Sequence, residues 1–225
     1  MFERFELLVG KKIDDIKNKK ILVIGIGGVG SYTVETLIRS GILNITIVDN
    51  DTIDISNLNR QLMTNKNNIG MYKVDVMKQR ILSINENCKV DAKVMFVDST
   101  NIDTLIDNYD YVVDACDTIN TKIEIIRVCN KKNIKLISSM GTGNKQDPSM
   151  LKITDINKTC YDPLAKIIRS KLRKMGIKKL TVVSSCERPI KKSIKTIPSN
   201  SYVPSVAGIL ITSYIINDIV GDLHV

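Results

Sequence analysis

The sequence predicts an α/β protein: a doubly wound, mainly parallel sheet with helices on both faces. Three observations predict it. Across roughly the first 140 residues, short apolar runs alternate with stretches of helical length, the pattern of βα units that build a parallel sheet. The first run, Ile21-Leu22-Val23-Ile24, ends in Gly25-Ile26-Gly27-Gly28-Val29-Gly30, a turn that lets the backbone pass close to a phosphate and opens a helix. The second run ends in Asp49-Asn50-Asp51, about 20 residues past the turn, where a dinucleotide fold places its ribose-binding acid.

In chain order, the expected strands are Lys20–Ile24, Asn44–Val48, residues 90–96, residues 111–115 and Lys135–Ser139. The expected helices cover residues 28–40, 72–84, 118–130 and 163–175, with a late apolar helix from about Pro204. The first helix stops before Gly41, with Arg39 in its last turn. This is a Rossmann-like layout. After Met140-Gly141-Thr142-Gly143-Asn144 the simple βα rhythm stops. Residues 1–225 therefore read as one domain whose role changes near residue 140, from a nucleotide-binding half (1–140) to a substrate-facing extension (141–225). No linker marks a boundary.

At 225 residues and 43% hydrophobic content the chain is long enough to bury a substantial core. Met1-Phe2-Glu3-Arg4 leads into charged sequence, so no signal peptide is expected. The apolar stretch from Val203 to Val220 carries Ser205, Thr212, Asn217 and Asp218 and reads as a packed helix, with no membrane association. A cytoplasmic location is the default. Cys88, Cys116, Cys129, Cys160 and Cys186 form no pair at metal-ligand spacing, so structural zinc is not expected. His224 is the only histidine, which argues against a His-based triad.

A glycine turn alone fits any nicotinamide or flavin enzyme. Here it is followed by Ser56-Asn57-Leu58-Asn59-Arg60-Gln61 and then Lys73. These place cations where a triphosphate would lie and do not belong to a hydride-transfer site, so ATP is the expected ligand. The combination resembles the ThiF/MoeB superfamily of ATP-dependent carboxylate-adenylating enzymes, which includes the ubiquitin-activating enzymes. The resemblance runs from about Arg4 to the C-terminus. It implies that Gly25, Gly27, Gly28 and Gly30 form the nucleotide turn and that Asp49 binds the ribose. Arg60 and Lys73 would hold the phosphates, with Asn57, Gln61 and Asp51 beside them, and Asp117 would hold Mg²⁺. Arg4 resembles an arginine that reaches the γ-phosphate bound by the neighbouring subunit, which implies a homodimer. The plainer readings are that Asp117 caps a helix, that Asp51 supports Arg60, and that Asp114 and Asp117 share a ligand-binding strand edge. Cys116 reads as core. Cys186 lies where some relatives place a reactive cysteine, but with no histidine nearby it reads as an unreactive surface or packing thiol.

Charge is concentrated. Residues 156–200 hold twelve Lys or Arg against two acids, a surplus larger than the chain's whole net charge of +9. Lys166, Arg169, Lys171, Arg173 and Lys174 on the expected helix form the candidate nucleic-acid face, joined by Lys178, Lys179, Arg188, Lys191, Lys192 and Lys195. Such clustering is the footprint of a polyanion, and a solvated helix face is the plain alternative. Three stretches here resemble one branch of the superfamily, the tRNA threonylcarbamoyladenosine dehydratases: residues 140–148, residues 152–159, and Asp162-Pro163-Leu164-Ala165 with the basic helix after it. The resemblance implies a tRNA substrate, cyclisation of threonylcarbamoyladenosine through carboxylate adenylation, and a sulfur-transfer protein as a candidate partner. The alternative from the same superfamily is an adenylyltransferase for a ubiquitin-like sulfur-carrier protein.

Overall fold

The computed structural model describes residues 2–190 and 196–221. Lys191, Lys192, Lys195 and His224 lie outside the described residues. Seven strands form one sheet in the order β3-β2-β1-β4-β5-β7-β6. The strands are β1 (Lys20–Ile24), β2 (Asn44–Val48), β3 (Lys89–Lys93), β4 (Tyr111–Asp114), β5 (Lys135–Ser139), β6 (Leu151–Asp155) and β7 (Thr181–Ser185). All neighbours run parallel except β6, which pairs antiparallel with β7 from Leu151↔Ser185 to Asp155↔Thr181.

Alternate residues of β1 feed two cores. Ile21 and Val23 pack with Val34, Leu37 and Ile38 on α3 (Gly30–Arg39) and with Val74, Met77 and Ile81 on α4 (Lys73–Ile84). Leu22 and Ile24 point the other way, to α5 (Ile102–Leu105) and α6 (Ile119–Lys132). That period of two, with both faces apolar, is what a parallel strand buried on both sides requires. A third cluster joins α6 to α7 (Pro163–Lys174) through Ile126, Ile168, Leu172 and Val182.

The late helix, α8 (Tyr202–Val220), is long and apolar enough to cross a membrane. Here it lies in the core instead. Val203, Ala207, Ile211 and Ile215 are fully buried. A Cβ at Gly208 would stand 2.5 Å from the Val29 carbonyl oxygen, so only glycine allows the close approach of α8 to α3. Thr33 Oγ1 donates to the Gly208 carbonyl across that contact (3.2 Å).

Three differences from expectation have physical reasons. The third strand ends at Lys93, and Val94 and Phe96 are exposed. Phe96, with Met95, lines the cleft, so the apolar run past Lys93 does not extend the sheet. The second half contributes β7 and β6 to the same sheet, where the alternation of strand and helix was expected to stop. Two helices at the start, α1 (Glu3–Val9) and α2 (Lys12–Asn18), were not expected. On α1, Leu7 and Leu8 point to solvent, so it shows no clean apolar stripe.

Candidate active site

The C-terminal ends of β1, β2, β4 and β5 open into a cleft of about 720 Å³, at the sheet edge where doubly wound folds bind ligands. The glycine turn forms its floor. Gly25 has a φ of +92°, and a Cβ there would stand 2.7 Å from the backbone of Ala115. A Cβ on Gly30 would stand 1.8 Å from the Gly25 carbonyl oxygen, so the turn closes on itself before α3 begins. Gly25, Gly27 and Gly28 line the cleft; Gly30 is buried behind them and serves packing.

Asp49 ties this turn to the end of β2. Its Oδ2 accepts from the Ile26 N–H (2.6 Å) and its Oδ1 from the Asp51 N–H (2.8 Å). Burial pushes its pKa up, and the nearby Lys73 ammonium and these two N–H donors oppose the shift. Lone pairs remain to accept from a ribose hydroxyl.

Two cations face the turn. Lys73, at the start of α4, is buried, with Nζ 2.6 Å from Asp51 Oδ2. Asp51 thus pairs with Lys73 and not with Arg60, correcting the expected support role. Arg60 is half-buried and has no carboxylate partner among the described residues. Its Nη1 donates to the Ser56 carbonyl (2.8 Å) and to Asn59 Oδ1 (2.9 Å). Asn57 holds the loop between them: its Oδ1 accepts from the Asp54 N–H (3.1 Å), half of a capping box. Gln61 is buried, and its Oε1 is the one buried side-chain oxygen or nitrogen among the described residues without a hydrogen-bond partner. Such an orphan acceptor costs ~1–3 kcal/mol unless something donates to it. The side chain lines the cleft, and the atom it turns toward Gly27 is the amide nitrogen Nε2, a donor.

The two acids at the end of β4 part company. Asp114 is fully buried and paired with Lys122 of α6, Nζ to Oδ2 2.9 Å, with Ser138 Oγ donating to the same oxygen. Lys122 also donates to the Ser139 carbonyl (2.8 Å). Asp114 is therefore structural, which corrects its expected place at the ligand edge. Asp117 lines the cleft and is exposed, with only Thr118 Oγ1 in contact (3.4 Å). It does not cap α6, because Thr118 holds the N-cap position without a side-chain bond. Magnesium takes one or two carboxylates with the remaining positions supplied by phosphates and water, so a single free carboxylate opposite two cations fits that ion. Cys116 is half-buried and packs against the second core; its thiol donates to Asp114 Oδ1 (2.9 Å), and burial raises its pKa strongly.

The far wall of the cleft comes from the half expected to face the substrate, but its buried pair was not foreseen. Lys145 and Asp162 form a second buried pair (3.3 Å). Asp162 also accepts from the Gly141 N–H (3.0 Å) and, as N-cap of α7, from the Ala165 N–H (3.0 Å). Asp162 immediately before Pro163 is a helix-start signal that marks the cap, but nothing local pairs it with Lys145. Pro163, Leu164 and Ile167 of α7 line the cleft, while Lys166, Lys171, Arg173 and Lys174 of the same helix are exposed. Arg169 differs from them: its Nη1 donates to the carbonyls of Ile156 and Thr159 and to Thr159 Oγ1 (2.6 Å), so it anchors the preceding loop. That corrects its assignment as a free phosphate-binding cation. Arg4, on α1, is exposed and does not line this cleft.

The model of the ThiF family matches residues 3–221. The tRNA threonylcarbamoyladenosine dehydratase of Bacillus subtilis is 43% identical to this chain, covering all of it and 96% of that protein. The crystal structure of the Escherichia coli tRNA N6-threonylcarbamoyladenosine dehydratase in complex with AMP superposes with a TM-score of 0.94 at 31% identity, covering 98% of this chain and 94% of that one. The ATP complex of the same E. coli protein gives 0.93 at 31% identity over 98% and 93%. With its glycine turn, Asp49, Arg60 and Lys73 in one cleft, and with full-length likeness to tRNA threonylcarbamoyladenosine dehydratases, the chain belongs to the ThiF family.

Proposed function

We propose that this protein is an ATP-dependent dehydratase that closes the side chain of N6-threonylcarbamoyladenosine in tRNA into a ring. One observation carries the reading: α7 joins both ends of the reaction. Its first turn lines the nucleotide cleft, and its exposed face carries Lys166, Lys171, Arg173 and Lys174. A polyanion lying along that face presents one nucleotide to the cleft. Full-length similarity to the dehydratases supports the same substrate.

In this reading the threonyl carboxylate attacks the α-phosphate of ATP and pyrophosphate leaves. The carbamoyl group tethered beside it then displaces AMP, and the net result is loss of one water from the nucleoside. No enzyme nucleophile is required, because the attacking group is already attached to its target. The protein supplies position and charge. Asp49 takes the ribose, the turn at Gly25, Gly27 and Gly28 cradles the phosphates, and Arg60 and Lys73 offset the charge that develops on them. Asn57 and Gln61 orient the loop and donate from the cleft wall. Asp117 would hold Mg²⁺, and the ion would supply positive charge to offset that of the phosphates. Arg4 acts from the neighbouring subunit of a homodimer, and mixing Arg4→Ala and Lys73→Ala subunits should then restore part of the activity lost in each. A cytoplasmic location follows from the substrate, and a sulfur-transfer protein is a candidate partner.

The test is mass spectrometry of nucleosides from modified tRNA incubated with the protein and ATP. Threonylcarbamoyladenosine should lose one water, with pyrophosphate released in step. An unchanged nucleoside while a small protein ending in Gly-Gly stimulates pyrophosphate release would replace this reading with a sulfur-carrier adenylyltransferase.

A further inference from the structure

Four non-glycine residues among those described hold a left-handed φ, and three of them, Asn108, Asn133 and Asn144, are asparagines, the residue type that tolerates that conformation. The fourth is Tyr161, at +54°. A bulky side chain there is a backbone outlier, and such strain clusters at ligand clamps. Asparagine or glycine would hold the same turn with less strain, so the turn itself does not call for tyrosine. Nor does the core, because Tyr161 is 54% exposed. What the residue adds is a flat aromatic face in solvent.

That face already belongs to a stack. The Arg188 guanidinium lies over the ring, 4.8 Å from its centre, and Arg188 Nη2 donates to Tyr161 Oη (3.3 Å). Both residues are exposed, yet each stands on a fixed segment. Asp162, next to Tyr161, is tied to Gly141, Lys145 and Ala165. Around Arg188, the Cys186 N–H donates to the Met150 carbonyl and the Ile190 N–H to the Asn144 carbonyl. The Glu187 carboxylate accepts from the N–H groups of Gln146 and Asp147. The stack also borders the cleft: Asp162 and Pro163 after Tyr161, and Pro189 after Arg188, all line it.

We propose that Tyr161, backed by Arg188, is a stacking platform for an unpaired RNA base beside the nucleotide that enters the cleft. Unpaired bases are held by stacking on aromatic rings and guanidinium planes, and a pair of the two on fixed segments presents that surface before the RNA arrives. Consecutive Cα atoms lie ~3.8 Å apart, so Tyr161 stands one residue from the cleft wall, within reach of the neighbouring nucleotide. Stacking ignores the hydrogen-bonding edge of a base, so the platform sets position and tolerates any base. It differs in kind from the cations of α7, which meet phosphates. This role rests on the tRNA reading of the cleft.

The experiment compares full-length Tyr161→Asn and Tyr161→Phe with the unsubstituted protein on tRNA carrying threonylcarbamoyladenosine. Asparagine suits the left-handed turn, so the first variant removes the ring and keeps the fold; phenylalanine keeps the ring. Tyr161→Asn should raise the apparent KM for tRNA about 5- to 150-fold, the worth of one base–aromatic stack, while the KM for ATP and the thermal midpoint hold. Tyr161→Phe should stay close to the unsubstituted protein. The slope of log affinity against log salt should be the same in all three, because no phosphate contact is lost. In a stem-loop RNA with 2-aminopurine on one or the other side of the target adenosine, fluorescence should be quenched on binding at one of the two positions, and Tyr161→Asn should abolish that quenching. An unchanged KM for tRNA in Tyr161→Asn, an equal loss in Tyr161→Phe, a shallower salt slope, or no quenching at either position would each overturn the platform and leave the dehydratase reading in place. An unsubstituted protein that neither binds nor dehydrates the RNA would overturn both.

Discussion

Lys73→Met is the substitution that separates what the ion pair does for the fold from what the cation does for ATP. Methionine keeps much of the stem at the head of α4 and deletes the charge. The side chain of Lys73 is 7% exposed, but that of its partner Asp51 is 58% exposed. Removing the lysine therefore strands Asp51 in water and not in the core. The cost to folding is that of a surface pair, ~0.2–1 kcal/mol. The cost to chemistry is far larger, because a preorganised donor facing developing phosphate charge is worth ~10²–10³ in rate, about 2.7–4 kcal/mol of barrier. Asp51→Asn is the matched control, since it weakens the same pair and leaves the cation in place. Pyrophosphate release with modified tRNA and saturating ATP reads the chemistry, and urea titration reads the fold. The expected pattern is a collapse of turnover in Lys73→Met alone, with both variants close to the unsubstituted protein in stability. Near-normal turnover in Lys73→Met, or an equal loss in Asp51→Asn, would refute a phosphate-facing role.

Asp117→Ala should raise the magnesium concentration needed for half-maximal turnover while thermal stability holds, because its carboxylate bonds only to Thr118; an unchanged magnesium titration would remove it from the site. Charge reversal at Lys171, Arg173 and Lys174 should raise the apparent KM for tRNA and leave that for ATP alone. In the unsubstituted protein, log affinity for tRNA should fall with log salt by about 0.7–0.9 per phosphate contact, and a flat salt series would return α7 to an ordinary solvated face. Glu35 gives a pH prediction. Burial raises its pKa, but hydrogen bonds from Arg80 and Arg39 outweigh that and hold it below its ordinary value of 4.5. A carboxyl depressed on folding stabilises the protein above its unfolded value and loses that contribution as pH falls through the folded one. Glu35→Gln should therefore be less stable at neutral pH and show a shallower acid limb below pH 4.5 in denaturant midpoints, and parallel curves would show that the pair contributes nothing.

The strands that sequence reveals are those buried on both faces. Ile21–Ile24 is an unbroken apolar run, and Ile45–Val48 is interrupted only by the buried Thr46, because α-helices cover each side. Where apolar residues serve a cleft, the same reasoning misleads: Met95 and Phe96 line the cavity and extended the third strand past its end. Of β6, Lys152 is exposed, and β7 ends in Ser184 and Ser185, so neither carries enough apolar signal to stand out. At the site, Asp49, Arg60 and Lys73 were legible because turn, strand end and loop follow in fixed order along the chain. Lys122 and Lys145 were not. Each is defined by a partner from a distant segment, and a lone lysine in a helix looks like surface until its acid is found beside it. Asp114 and Arg169 were misread for the complementary reason: their charges are spent internally, on Lys122 and on a loop's carbonyl oxygens.

The order of the strands has a consequence for how the chain assembles. β7 is inserted between β5 and β6, so β6 is synthesised before the only strand it pairs with. Until residues 181–185 emerge, the outer side of β5 is a bare row of backbone donors and acceptors, the kind of edge that recruits foreign strands. The nucleotide end, built from β1 to β5, needs nothing that comes later in the sheet; the wall that carries Lys145 and α7 waits for a single five-residue strand. A ribosome-bound chain stopped before Thr181 lacks both that strand and α8, the helix that packs on α3 behind the glycine turn.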